Sequence, residues 1–175
     1  VHPPVTILPL HIPFGKVVPN HPRWPILIYR QVFAVDSKPN LADRFAKDFE
    51  SHRWQGIWRW GVYPFHHYHS TAHEVLGVAA GVARLALGGP QGEEYTVEAG
   101  DVILLPAGAG HRCVMASDDF EVVGAYPEGQ ETDMIRAGEA DSALMAERIK
   151  EISLPKTDPL FGPDGPLFEY WRSDG

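Results

Sequence analysis

Four histidines fall within eight positions, His66, His67, His69 and His73, and Glu74 follows at once. His67 and His69 are one residue apart. On an extended strand that spacing turns both imidazoles to one face, about 7 Å apart along the backbone and able to converge on one point. On a helix the same pair would diverge by roughly 200°, so the segment is read as a strand. His69 and His73 at i, i+4 offer a competing reading, a helical zinc pair with Glu74. The flanking prolines and glycines and the lack of helical periodicity count against it. Much later in the chain, His111 closes the turn Pro106-Ala107-Gly108-Ala109-Gly110. Three imidazoles and a carboxylate form a ligand set for one divalent transition metal, Fe, Mn, Ni, Zn or Cu, with no thiolate required. For them to meet, two separated segments must fold against one another, and few architectures do that. If the ion is six-coordinate, four protein ligands leave about two positions open for substrate, water or dioxygen. His66 has the wrong strand parity and His73 lies in the connecting turn. Neither is expected to be a ligand, and both are read as beside the site or exposed.

The rest of the pattern says which architecture. Glycine and proline number 17 and 16, which suits a turn-rich β fold better than a helical bundle. From Gly61 to Val123 short strands alternate with turns: a run from Glu74 to Leu87 bent at Gly77 and Gly81, Tyr95 to Val97, and Val102 to Leu105. Phe120 to Tyr126 gives a further strand. Strands at such spacing predict a sandwich or a barrel, and a small barrel can hold one ligand. Residues 1–25 carry seven prolines and form an extended arm, with strands expected at Val5 to Leu8 and, beyond it, at Ile26 to Val35. That arm is either a wrapper over the barrel or a strand exchanged with a second subunit. Asn40 is placed to cap a helix from Leu41 to about His52, with Leu41, Phe45 and Phe49 as its apolar stripe. Trp54, Trp58 and Trp60 read as packing or as a sugar-stacking platform. A second helix is predicted over Glu139 to Ile152, with Leu144, Met145, Ile149 and Ile152 on its apolar side. The aromatic tail from Leu154 to Trp171 should fold back on the barrel, because Leu167, Phe168, Tyr170 and Trp171 are costly to leave in water.

Gly61, five residues, His67-Tyr68-His69, four residues, Glu74, six residues and Gly81 reproduce the first cupin motif at each fixed place. Gly100, five residues, Pro106-Ala107-Gly108, two residues and His111 reproduce most of the second. The second motif ends in an Asn four residues after its histidine, and Met115 stands there. That Asn is not a cupin metal ligand, so the departure bears on the surroundings of the site. The segments Pro19 to Pro22, Tyr63 to Gly77, Asp118 to Gly129 and Leu154 to Trp171 resemble the small single-domain bacterial cupins of YjlB type. The resemblance implies a mainly β chain, a cupin double-stranded β-helix (jelly-roll barrel) with one helix before it and one after. It implies a single cupin domain over residues 1–175: arm, strand and helix over 1–60, metal-binding core over 61–127, helix and tail over 128–175. It implies the metal ligands His67, His69, Glu74 and His111, and no particular reaction.

Composition narrows the partners. A formal charge of −8 leaves no basic footprint for nucleic acid or an anionic membrane. No apolar run approaches transmembrane length, and Val1 to Gly15 does not read as a signal peptide. The single cysteine, Cys113, excludes an internal disulfide and suggests a reducing, cytoplasmic setting. Strand parity places Tyr63 and Phe65 on the face of His67, and Cys113 and Met115 on the face of His111. These four are either a pocket rim or core filling. The function expected is metal-dependent chemistry on a small oxygen-bearing molecule, an oxidoreductase of dioxygenase type in a homodimer. The alternatives are a non-catalytic metal and small-molecule binding protein, or an isomerase. Epimerisation of a sugar nucleotide would want a His–Tyr pair and a basic phosphate pocket, for which only Arg84 and Arg112 are uncommitted.

Overall fold

The computed structural model describes residues 4–33 and 40–173. The arm supplies β1 (Thr6–Leu10) and β2 (Ile26–Arg30), and α1 (Leu41–Ser51) leads into β3 (Trp54–Trp60). The middle of the chain is β4 (His67–Tyr68), β5 (Glu74–Ala80), β6 (Val82–Leu87), β7 (Glu93–Glu98), β8 (Val102–Leu105), β9 (His111–Ala116) and β10 (Glu121–Pro127). A short β11 (Ile135–Arg136), α2 (Ser142–Ile149) and α3 (Leu167–Tyr170) follow. The strands form two antiparallel sheets, ordered β1-β2-β8-β5-β10-β3 and β11-β4-β9-β6-β7, the jelly roll expected. No described helix is long and apolar enough to cross a membrane.

The six-stranded sheet is buried on both faces, which is why β2 and β8 read as unbroken apolar runs. Ile26, Ile28, Leu76, Val78, Ile103, Leu105 and Val122 point toward the second sheet and meet Leu85, Leu87 and Val97. Their alternates Leu27, Tyr29, Val75, Val102, Leu104 and Val123 pack outward on Leu41, Phe45 and Phe49 of α1 and on the tail. Two layers of core thus share one sheet. Gly77 lets α1 come close: a Cβ there would stand 2.7 Å from Phe45 Cγ. Gly77→Ala is expected to destabilise the fold by about 1–3 kcal/mol through overpacking, read as a lower urea midpoint at unchanged slope.

Several local expectations are corrected. Asn40 does precede α1, but in a left-handed conformation (φ 65°) and without a side-chain capping bond; a capping side chain needs an extended backbone at that place. Asp43 in the first turn pairs with Arg59 at 2.5 Å. The second helix is shorter than predicted, because Asp141 stops it at the front by accepting from the amides of Ala143 and Leu144. Leu144 is exposed, and Ser142, Met145 and Ile149 form the buried side. β1 pairs with β2 of its own chain, the wrapper form of the arm. The predicted continuation through Ala34 and Val35 lies outside the described residues.

Indole donors fasten the tail. Trp171 Nε1 donates to Pro25 O at 2.8 Å, Trp24 Nε1 to Arg172 O at 2.9 Å, and Trp54 Nε1 to Thr157 O at 3.0 Å. The Trp24 and Trp171 rings stack 5.7 Å apart, and the His21 ring stacks on the other indole neighbour, Trp24, at 4.4 Å. His21 Nδ1 accepts from the amides of both Arg23 and Trp24, so the ring must be neutral. Burial, with the nearby His73 and Arg23, pushes its pKa down to about 3. A histidine depressed from about 6.5 contributes stability above that pH and loses it as pH falls toward 3. His21 is therefore expected to withdraw on the order of 2–3 kcal/mol between pH 7 and pH 4. Urea midpoints across that range should fall, and fall less in His21→Asn.

Candidate metal centre

The two sequence motifs meet at one end of the space between the sheets. β4 and β9 run antiparallel with His67 opposite His111, which brings their rings together, tilted, with centroids 4.0 Å apart. His69 lies just past β4, its ring centroid 5.2 Å from that of His111. The turn before β9 grips the same segment: Gly108 N donates to His69 O at 2.7 Å. Gly108 carries φ +89°, and any Cβ there would strike Asn20 O at 2.9 Å, so glycine is required. Glu74 shares the inward face of β5 with Leu76 and Val78 and is buried, its Oε1 3.1 Å from His69 Nε2 and 3.4 Å from His111 Nε2. Ligand atoms of His67, His69 and His111 all lie within 4.8 Å of one another, positioned for a metal.

The rings are also oriented. His67 Nδ1 donates to Phe65 O at 2.9 Å and His111 Nδ1 to Ala109 O at 3.1 Å. His69 Nδ1 makes a short bond to Asp133 O. With each Nδ1–H held by a carbonyl, each Nε2 lone pair faces the cluster, the tautomer a metal ligand needs. Those lone pairs then confront the Glu74 carboxylate, an arrangement that only a proton or a cation between them relieves. The titration directions agree. Burial alone would depress His69, but Glu74 and Asp133 outweigh it and lift the pKa to about 9. Burial would raise Glu74, yet His69 and His111 hold it well below the usual carboxylate range. Burial and the neighbouring His111 push His67 down to about 3.

The cluster floors a cavity of about 380 Å³ walled by Trp58, Trp60, Val62, Tyr63, Leu76, Tyr126 and Met134. Among the four predicted pocket residues, Tyr63 lines it. Phe65 sets its edge against His67 at 5.6 Å without lining the wall. Cys113 and Met115 do not line it. β6 and β9 slip register between Arg84 and Leu85, pairing Leu85 with Cys113 but Arg84 with Met115. The extra residue on β9 reverses the alternation. Cys113 therefore packs inward beside Leu85 in the apolar core, whereas Met115 is 61% exposed on the outer face. Of the tryptophans, Trp54 is core, and Trp58 and Trp60 border the cavity.

His73 is neither exposed nor beside the ions' place. Fully buried, its Nδ1 accepts from Ala107 N at 2.8 Å and its Nε2 donates to Ser153 O at 2.9 Å, tying the second motif to the tail. His66 keeps its predicted parity away from the cluster, with a buried Nδ1 that has no hydrogen-bond partner. A larger open groove of about 990 Å³ runs between residues 127–132 and 151–157, but none of the clustered imidazoles lines it.

Sequence reasoning missed Tyr126, Thr132 and Asp133. The register that sets Ala125 against Val75 brings Tyr126 beside Glu74. Its hydroxyl accepts from Trp58 Nε1 at 2.9 Å, and burial together with the nearby Glu74 raises its pKa. Tyr126 stood within a predicted strand, yet only strand pairing reveals its neighbour. Asp133 works through its backbone carbonyl, for which side-chain pattern carries no signal.

Comparison with known proteins agrees with this picture. The Cupin domain family matches residues 61–123. The uncharacterized protein YjlB of Bacillus subtilis (strain 168) is 36% identical over 154 residues, 88% of this chain and 90% of that protein. Two solved structures are similar at lower identity. A DUF861 family protein from Thermotoga maritima is 23% identical over 50% of this chain and 91% of its own, with a TM-score of 0.34. Acireductone dioxygenase from Bacillus anthracis, with cadmium in its active centre, is 17% identical over 63% of this chain and 69% of its own, at TM-score 0.35. Neither of these two bears on the chemistry. Sequence kinship over nearly the whole length, joined to a jelly roll that brings both motifs together, places the chain in the cupin superfamily, among proteins of YjlB type.

Proposed function

We propose that this chain binds one divalent transition metal through His67, His69, His111 and Glu74 and is a small-molecule oxidoreductase of dioxygenase type. The observation that carries the reading is the orientation of the three rings, each Nδ1–H tied to a carbonyl, with the Nε2 of His69 and of His111 beside the buried Glu74 carboxylate. A bound ion would supply Lewis acidity and, if iron, a means of using dioxygen. The chain's own residues do the rest. His69 and His111 hold the Glu74 carboxylate, and Trp58, Leu76 and Tyr126 wall the cavity beside it. A reducing cytoplasmic setting and a homodimer belong to the same reading, the first favoured by the lone thiol, the second by the free edge that β1 gives the larger sheet.

A non-catalytic metal and small-molecule binding protein is the second reading. It is favoured by the Tyr126 hydroxyl, which accepts from Trp58 Nε1 at 2.9 Å and whose pKa burial and the nearby Glu74 raise, so that it holds its proton. Elemental analysis of native protein, then anaerobic Fe(II) loading and oxygen uptake over diketones, thiols and catechols, separates the two. Turnover of any one supports the oxidoreductase; tight binding without oxygen uptake supports the binding protein.

A further inference from the structure

The cavity above the histidines has a polarity that selects a kind of ligand. Its floor is the imidazole cluster with Glu74, and its upper wall is aromatic, with the Trp60 and Tyr63 rings edge to face at 5.0 Å. Trp60 is 57% exposed, an indole left at the mouth with one face open to an entering molecule. Among the described residues no lysine or arginine lines the wall. The arginines that sequence left uncommitted are turned elsewhere: Arg84 pairs with Glu94 at 2.7 Å, and Arg112 Nε donates to Pro64 O at 3.0 Å. Among the described residues the one other wall carboxylate besides Glu74, Asp133, already accepts from Ser70 N at 2.6 Å and from the Ser70 hydroxyl. A phosphate entering here would lose water and have only the floor ion to pair with, no side-chain cation on the described wall offsetting the rest of its charge, which is costly in so apolar a space. Taking a water's share of liquid as the unit, about 380 Å³ has room for about a dozen non-hydrogen atoms.

Resting on the metal-centre reading above, we infer that the ligand is a small phosphate-free ring compound. Its oxygen-bearing head goes to the histidine floor and its apolar ring packs against Trp58, Trp60 and Tyr63. Phosphorylated and nucleotide-linked molecules are excluded. Trp60 is the specificity residue at the mouth. Trp60→Ala removes an exposed side chain and leaves the core and the four floor residues untouched.

The test is calorimetric titration of zinc-loaded and metal-free protein with benzoylacetone, catechol, inorganic phosphate and uridine diphosphate glucose, with zinc content measured in every sample. Saturable binding of benzoylacetone or catechol is expected, weakened at least about tenfold in Trp60→Ala at unchanged zinc content. Neither phosphate nor the nucleotide sugar should bind. Binding of either phosphate compound as tightly as the ring compounds overturns the inference. So does failure of both ring compounds to bind, or unchanged affinity in Trp60→Ala. Zinc content keeps the two readings apart. Zinc-retaining protein that prefers phosphate overturns only the ligand class, whereas wild-type protein that takes up no zinc overturns the metal centre itself.

Discussion

His111→Ala is expected to lower metal affinity by about a hundredfold or more and to leave protein purified through a chelating step with almost no metal. Two contributions fall together. His111 Nε2 lies 3.4 Å from Glu74 Oε1, so its loss removes one of the clustered nitrogens beside the carboxylate. Its ring lies tilted against that of His67 with centroids 4.0 Å apart, so the neighbouring imidazole also loses a wall that orients it. Even partners one step removed from a metal typically cost 10–100-fold in affinity, so a direct ligand should cost at least that. His66→Ala is the matching control, since His66 is one residue from His67 yet outside the cluster. The measurement is elemental analysis per chain together with Zn(II) competition against a chromophoric chelator, with circular dichroism to show that the fold persists. Folded His111→Ala that keeps a full equivalent of metal would remove His111 from the site. Chelation of the wild-type protein should also lower its melting temperature, because an ion that binds only the folded state stabilises it.

Asn20→Ala should be the most destabilising single change away from the cluster, by about 3–5 kcal/mol, or on the order of 10 °C in melting temperature. Asn20 is buried in the arm and joins three distant places. Its Nδ2 donates to Pro13 O at 3.1 Å and Gly88 O at 3.0 Å, and its Oδ1 accepts from Gly110 N at 3.1 Å. Its backbone amide donates to Gly108 O at 2.9 Å. Alanine would strand a buried amide and carbonyls, each costing about 1–3 kcal/mol, in a left-handed conformation (φ 59°) that alanine resists. Because Gly108 and Gly110 belong to the turn that delivers His111, metal affinity should fall as well. Thermal denaturation and zinc titration of the same variant check both parts. A loss of less than about 1 kcal/mol would mean that water replaces the lost bonds.

Much of the core was legible because burial leaves a period behind. The stripe Leu41, Phe45, Phe49 located α1, and the apolar runs located β2 and β8. The arm's end, the length of α2 and the capping of α1 were less so, since they hang on single backbone conformations and on Asp141 rather than on any repeated pattern. The same division runs through the site. Spacing put His67 and His69 on one face, and the motif resemblance added Glu74 and His111. Spacing misjudged Met115, because one extra residue in β9 reverses which side every later residue occupies. It also left His73 undecided between the neighbourhood of the site and solvent, although that ring is fastened at both nitrogens in the interior.

What the chain carries in its own order, then, is the set of residues that alternate inward and the glycines that permit their turns, since both follow from short-range geometry. Which of those residues become neighbours was decided only by folding. Contacts between segments far apart in sequence set Tyr126 beside Glu74, gave Asp133 O to His69, and left the cavity mouth aromatic, with no lysine or arginine among the described residues that line it. Side-chain period is a local property of the backbone, whereas register between strands is settled by packing across the whole sheet.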